Sequence, residues 1–404
     1  MTNYLEHYIM LPMTAQSTSA AYIGTRFFGL PFWALISALS MILYKEFHVS
    51  AWQLTLLVAL KPASSLLAVY WSSFNRKNLV LNLVLTNILR FVPFLFFFWV
   101  QSSLYVILAF GFYMTLSRGS MPAWMEIFKR HIPDSSRSRI FALGNTIEYV
   151  GTALLPLLLG VILDVNGDAW RWLFPLTAAV GIFSTLFLVR IPHSLTEELA
   201  SQNQILLPWR RAWRLWAQDR SFSRYQLGFM LGGAGLMIIQ PILPIFFVDN
   251  LHINYTQVML AITICKGVGF ALTSRLWSSY FDRTNIFIFS ALVAAMAALF
   301  HPLLLASQSF LPLLYFAYLG YGVMQAGSEL SWHMSAVTFS KKQESLPYSE
   351  MNIISVGIRG LIIPFLGNLI FATAGTTALF SLGSLLCLGG CLFLLKNRLY
   401  AIPN

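Results

Sequence analysis

Gly119-Ser120-Met121-Pro122-Ala123-Trp124 returns 208 residues later as Gly327-Ser328-Glu329-Leu330-Ser331-Trp332. A second echo sets Trp71-Ser72-Ser73-Phe74-Asn75-Arg76-Lys77-Asn78 against Trp277-Ser278-Ser279-Tyr280-Phe281-Asp282-Arg283-Thr284-Asn285, at an offset of 206 that slips to 207 after one inserted residue. Near-constant spacing across half the chain points to two similar halves and not to a short-period solenoid. Two-half construction around a central site is a common plan for proteins that expose one cavity alternately to the two sides of a membrane.

Composition names the solvent. Hydrophobic residues make up 57% of the chain and charged residues 10%, against about 25% charged in soluble domains. A helix crosses the hydrocarbon core with about 20 apolar residues, and runs of that kind fall at 22–44, 51–73, 79–100, 103–127, 140–163, 170–190, 222–248, 255–277, 285–306, 310–335, 350–373 and 376–395. The alternating ten-residue segments of a transmembrane β-barrel are absent. The expected fold is therefore an all-α membrane protein with twelve transmembrane helices in two pseudo-symmetric six-helix bundles. The expected boundaries are 1–190 for the first bundle, 191–221 for a cytoplasmic linker and 222–404 for the second bundle.

Nineteen of the 26 Lys and Arg residues fall at the N-terminus, the C-terminus and the loops after the even-numbered spans, with Arg26 counted at the N-terminus. The opposite loops hold Lys45 and Arg171. By the positive-inside rule both termini are cytoplasmic. The net charge of +11 is mostly this topological signal facing anionic lipid, so nucleic acid is not an expected partner. In the linker, Trp209, Trp213 and Trp216 recur at i, i+4 and i+7 with Arg210, Arg211 and Arg214 on the other side. That pattern predicts a basic amphipathic helix lying on the inner leaflet, the alternative being an irregular basic loop packed on the protein. Cys265, Cys387 and Cys391 all lie in apolar spans, which argues for packing thiols over disulfides. The first sixteen residues lack a basic n-region and a small-residue cleavage site, so the first span is expected to be retained as an anchor.

Twelve spans in two related sixes with cytoplasmic ends resemble the major facilitator superfamily. That family carries a Gly-x-x-x-Asp-Arg-x-Gly-Arg-Arg-like signature between spans 2 and 3, with a weaker copy between spans 8 and 9. Here Ser72-Ser73-Phe74-Asn75-Arg76-Lys77 is a degenerate version, and Tyr280-Phe281-Asp282-Arg283 keeps the Asp-Arg pair. The resemblance makes Arg76, Asp282 and Arg283 gating candidates, although both glycines of the motif are missing. Pro122-Ala123-Trp124, Ile132-Pro133-Asp134 and Gly357-Ile358-Arg359-Gly360 are similar to stretches in a loosely defined group of bacterial facilitator proteins, implying a bacterial inner-membrane location.

Charges at bilayer depth cost roughly 2.5–3.5 kcal/mol each on insertion scales, so each is a candidate site. Lys61, Arg90, Arg118, Glu148, Lys266, Glu329 and Arg359 fall within spans. Arg118 and Glu148 should reach similar depth, as should Glu329 and Arg359, giving two expected acid–base pairs that either fix packing or break and re-form between states. Glu148 and Glu329 are the coupling candidates, since burial raises and a neighbouring arginine lowers a carboxylate's proton affinity. Lys61 and Lys266 form a symmetric set near the midplane, read either as snorkelling amines or as anion ligands. Arg90, on a span that the resemblance places at the periphery, is read as structural. Trp33 and Gln240 are neutral candidates for solute contact. Gly232-Gly233-Ala234-Gly235, ahead of Gln240-Pro241, reads as either a hinge or a close-packing surface.

Five bases against two acids favour a small anionic or zwitterionic solute. The expected function is secondary active transport by alternating access, proton-coupled, by a monomer needing no cofactor and contacting only solute, protons and membrane lipid. Efflux of drugs or lipophilic cations and a non-transporting receptor or scaffold are the competing readings. No phosphate loop, His-Glu-x-x-His run or Gly-x-Ser-x-Gly elbow is present, so no enzyme is expected.

Overall fold

The computed structural model describes residues 12–74, 79–192, 207–340 and 346–400. Among them every ordered element is helical, and each of the twelve expected spans lies on helix. The chain divides into two compact units, Met1–Phe47 with Leu67–Asn203 and His48–Leu66 with Gln204–Asn404. The first half of the second span is thus grouped with the second unit.

In the first unit, α1 (Met13–Phe47) packs along α6 (Asp134–Val165) and α7 (Trp170–Phe183), while α3 (Leu79–Leu95) lies against α7 and α4 (Ser103–Gly119). Helix α1 begins nine residues before the apolar run at 22. Its early hydroxyls are tolerated because they bond back to their own helix: Ser19 Oγ donates to Ala15 O at 2.6 Å and Thr25 Oγ1 to Ala21 O at 2.9 Å. Two glycines set the register between α1 and α6. A Cβ on Gly144 would lie 2.4 Å from the Tyr22 ring, and one on Gly151 would lie 2.5 Å from Leu30. Both contacts advance in the same direction along the two helices, so residues 26 and 148 face each other. One end of this unit is an aromatic core in which Phe32 meets Phe91, Phe94 and Tyr113 at centroid distances of 4.7–4.9 Å.

Helix α2 (Ala51–Phe74) carries Pro62. Its first half packs, within the second unit, on α13 (Leu346–Lys396): Pro62 fills the space over Gly360, Leu66 that over Gly357, and Trp52 lies 6.2 Å from Phe365. The linker forms α8 (Leu207–Gln218), followed by α9 (Arg220–Ile238), α10 (Lys266–Phe281), α11 (Ile286–Ala306) and α12 (Pro312–Ser340). Helix α9 breaks into turns at 239–242, where Pro241 removes a backbone donor, and a π-helical turn follows at Phe246–Asn250. A second π-helical stretch, Leu260–Cys265, leads directly into α10. The helical run of α13 turns at Gly375, whose φ of 76° separates the last two expected spans.

The glycine cluster of α9 is a packing surface. A Cβ on Gly235 would stand 2.3 Å from Gly383 O and one on Gly390 2.6 Å from Gly232 N, so α9 and α13 pack too closely here for side chains. His301, which its place near the end of a span suggests is interfacial, is fully buried and bonds Gly235 O at 2.9 Å through Nε2. Cys265, Cys387 and Cys391 are free thiols, and the Cys387 Sγ donates to Gly232 O at 3.2 Å.

Candidate functional site

The first unit encloses a cavity of 320 Å³. Arg26, Gly29, Leu30 and Trp33 line it as an i, i+3, i+4, i+7 stripe of α1, Asn87 and Arg90 reach it from α3, and Tyr113, Ser117 and Arg118 from α4. Trp124 and Glu148 complete its charged and aromatic wall. Three guanidiniums against one carboxylate leave this wall positive, and Trp33 stacks on Tyr113 with centroids 6.3 Å apart.

Glu148 pairs with Arg26, whose Nη1 donates to Oε2. This corrects the expected Arg118–Glu148 pair, and the cause is the Gly144 and Gly151 register, which turns Glu148 toward α1. Arg118 is left open to the cavity with no acidic partner among the described residues. Arg26, assigned to the N-terminus on sequence, lies thirteen residues into α1. Arg90, read on sequence as structural, also lines the cavity. Its Nη2 donates to Asn87 Oδ1 at 2.5 Å, its Nη1 to Ser117 Oγ at 3.4 Å, its guanidinium lies 4.7 Å from the Phe91 ring centroid, and its Nε is buried without a partner. Asn87 is itself held, its amide donating to Ser184 Oγ at 3.1 Å and Thr185 Oγ1 at 2.8 Å.

The second unit holds a separate cluster. Arg359 lies over Gly233, where a Cβ would come within 1.9 Å of Nη1. Its Nε donates to Met237 Sδ at 3.3 Å and its Nη1 is buried without a partner. The expected Glu329–Arg359 ion pair does not form: Glu329 accepts from Gln325 Nε2 at 3.0 Å, one turn away on α12. Equal depth placed the two charges at one level, but the gap over Gly233 draws the guanidinium flat onto α9. Lys266 lies 6.0 Å from the Tyr321 ring centroid and within electrostatic range of Glu329. Lys61 is exposed on α2 and Gln240 half-buried in the break after α9. Asp282 and Arg283 are exposed at the turn after α10, with no ion pair between them among the described residues. Arg76 lies outside the described residues.

The sequence profile of the Major Facilitator Superfamily matches residues 21–346. The chain belongs to the major facilitator superfamily. It is accordingly a membrane transporter and not an enzyme. No curated protein matches it. Its fold is similar to that of a bacterial homologue of the human lysosomal transporter Spinster, solved inward-facing and unoccupied, at 13% identity over 96% of each chain with a TM-score of 0.66. It is also similar to the nucleoside transporter NupG, at 11% identity over 96% of this chain and 99% of that one with a TM-score of 0.68. A POT family transporter in complex with 5-aminolevulinic acid matches at 10% identity over 95% of each chain, with a TM-score of 0.74. At these identities the likeness is one of fold. Within this facilitator chain the sequence reading missed Arg26, Asn87, Tyr113 and Ser117; the recurrence of Arg26, Gly29 and Trp33 on one helix face was the available signal for the first.

Proposed function

We propose that this facilitator is a secondary active transporter that moves a small anionic or zwitterionic solute by alternating access, with uptake coupled to protons. The observation that supports it is the cavity wall in which Arg26, Arg90 and Arg118 face a single carboxylate, Glu148. Charge-assisted, bidentate arginine contacts recognise carboxylates and phosphates, and a lipophilic cation would meet the wrong sign of field there. The Arg26–Glu148 pair supplies the switch: a proton on Glu148 releases Arg26 to the solute, and loss of the proton re-forms the pair. Residues 1–190 and 222–404 are the two moving bundles, 191–221 connects them, and the chain works as a monomer in a bacterial inner membrane with both ends cytoplasmic and lipid as its other partner.

The test is uptake of a panel of labelled anionic, zwitterionic and cationic solutes into proteoliposomes holding the native chain, Arg90→Gln or Arg118→Gln. The expected result is saturable uptake of an anion or zwitterion, with KM raised about tenfold in each variant by loss of one charged contact. Uptake confined to cations, or anion uptake unchanged in both variants, overturns the reading.

A further inference from the structure

Helix α8 is two-faced, and its faces are not those that the tryptophan spacing suggests. Trp209, Leu215 and Trp216 pack on the cluster formed by Phe222, Tyr225, Phe339 and Tyr348. The opposite stripe, Arg210, Trp213, Arg214 and Ala217 at i, i+3, i+4 and i+7, is exposed along its length, and Trp213 shows 74% of its surface. Arg210, Arg214 and, just beyond, Arg220 have no acidic partner among the described residues. An indole flanked by unpaired guanidiniums has no acidic neighbour paired with it among the described residues of its unit. It does match a membrane surface, where indoles settle at headgroup depth and guanidiniums bond lipid phosphates. The stretch Arg220–Asn250, which begins with α9 just after α8, is long and apolar enough to enter that membrane.

The elbow between α8 and α9 is wired to the start of α13. Asp219 Oδ1 accepts the Phe222 N–H at 2.9 Å and caps α9, while its Oδ2 accepts the Tyr348 hydroxyl at 3.0 Å. Ser223 Oγ donates to Trp216 O at 2.5 Å and to Asp219 O at 2.9 Å, tying the last turn of α8 to the first turn of α9. The Phe222 and Tyr348 rings meet edge to face at 4.9 Å. Anything that fixes α8 therefore fixes the ends of α9 and α13 as well.

We propose that the Arg210–Trp213–Arg214 stripe is a docking surface for anionic phospholipid headgroups, and that its occupation holds the α8–α9–α13 elbow and so sets the transport rate. The rate claim rests on the transporter reading above; the docking claim does not. Two unpaired arginines at the bilayer surface should enrich anionic over zwitterionic lipid by roughly thirtyfold.

The full chain, native or Trp213→Phe, is reconstituted with brominated phosphatidylglycerol or brominated phosphatidylcholine as minor component, and the contribution of Trp213 is read as the difference in fluorescence quenching. The expected result is preferential quenching of Trp213 by the anionic lipid, lost in Arg210→Gln/Arg214→Gln and retained in Arg210→Lys/Arg214→Lys. In parallel, solute exchange by the native chain should rise with phosphatidylglycerol content and that of the glutamine variant should not. Equal quenching by both lipids, or quenching by neither, overturns the docking surface. So does a polyanion such as short RNA that binds the detergent-solubilised chain through these arginines while lipid preference is absent. Preferential quenching with lipid-independent exchange overturns the control of rate and leaves the transporter reading standing.

Discussion

Asn87 shows how one neutral side chain orients a charge. Its amide nitrogen is held by Ser184 and Thr185, so its carbonyl oxygen can only point at Arg90. A hydrogen bond to a charged group is worth about 1.5–3 kcal/mol, and here it keeps the guanidinium at the cavity wall. Asn87→Ala should leave the protein folded and raise the KM for the transported anion about tenfold, with the maximal rate little changed; a fall in rate at unchanged KM would assign Asn87 to the conformational step instead. Outside the membrane, His131 bonds the Thr18 hydroxyl through Nδ1 at 2.9 Å. Burial, and then the neighbouring Arg130, hold its proton affinity below the ordinary imidazole value of 6.5. A histidine depressed on folding stabilises the fold fully above its unfolded pKa and loses that contribution as pH falls through its folded value. Thermal stability in detergent should therefore decline as pH drops below about 6.5, and His131→Asn should flatten that part of the profile.

At the scale of elements, the spans were legible and their rotations were not. Continuous apolar runs fall on helix throughout, and seven helices among the described residues are long and apolar enough to cross a membrane, because hydrocarbon thickness constrains length whatever the packing. Length carries no azimuth. Arg118 and Glu148 share a depth, yet the space above Gly144 and Gly151 turns Glu148 toward Arg26. The start of α1 was missed for a related reason: Ser17, Thr18 and Ser19 look like a polar tail until their hydroxyls find hydrogen-bond partners within the helix or on His131. Glycines make the same point in two ways. Gly322 is needed for space, since a Cβ would sit 1.9 Å from Lys266 O on the adjacent α10. Gly375 is needed for backbone freedom, since it has open space around it but a φ of 76°. Gly375→Ala should cost about 1–3 kcal/mol, because φ 76° with ψ −177° is a backbone region essentially reserved for glycine, seen as a fall in melting temperature with transport retained. Gly322→Ala should cost at least about 2 kcal/mol, because backbone cannot yield as a flexible side chain does, and should displace Lys266 and impair transport along with stability. Equal effects of the two substitutions would show that neither argument holds.

For the whole molecule, the proposed mechanism makes charge and energy meet at Glu148. Moving Arg26 from the tail into α1 still leaves eighteen basic residues at the chain ends and even-numbered loops against two in the opposite loops, while adding one more positive group to the cavity wall, so the two signals, topology and cavity sign, are separable. Under the proposed exchange, a proton on Glu148 frees Arg26 and makes the cavity more positive by one charge, which strengthens anion binding; proton and anion then enter together. For a monovalent anion the cargo carries no net charge, so a membrane potential, worth about 2.3 kcal/mol per charge per 100 mV, supplies nothing. A pH gradient supplies about 1.36 kcal/mol per unit, which sets a ceiling of about tenfold accumulation for one unit. In proteoliposomes, accumulation of a monovalent anion should follow an imposed pH gradient and ignore a potassium diffusion potential set by valinomycin. Glu148→Gln cannot take part in the proton cycle, so it should still exchange labelled for unlabelled solute across the membrane while losing gradient-driven accumulation. Accumulation that tracks pH in Glu148→Gln as it does in the native chain would move the coupling site elsewhere, with Glu329 the next candidate to test.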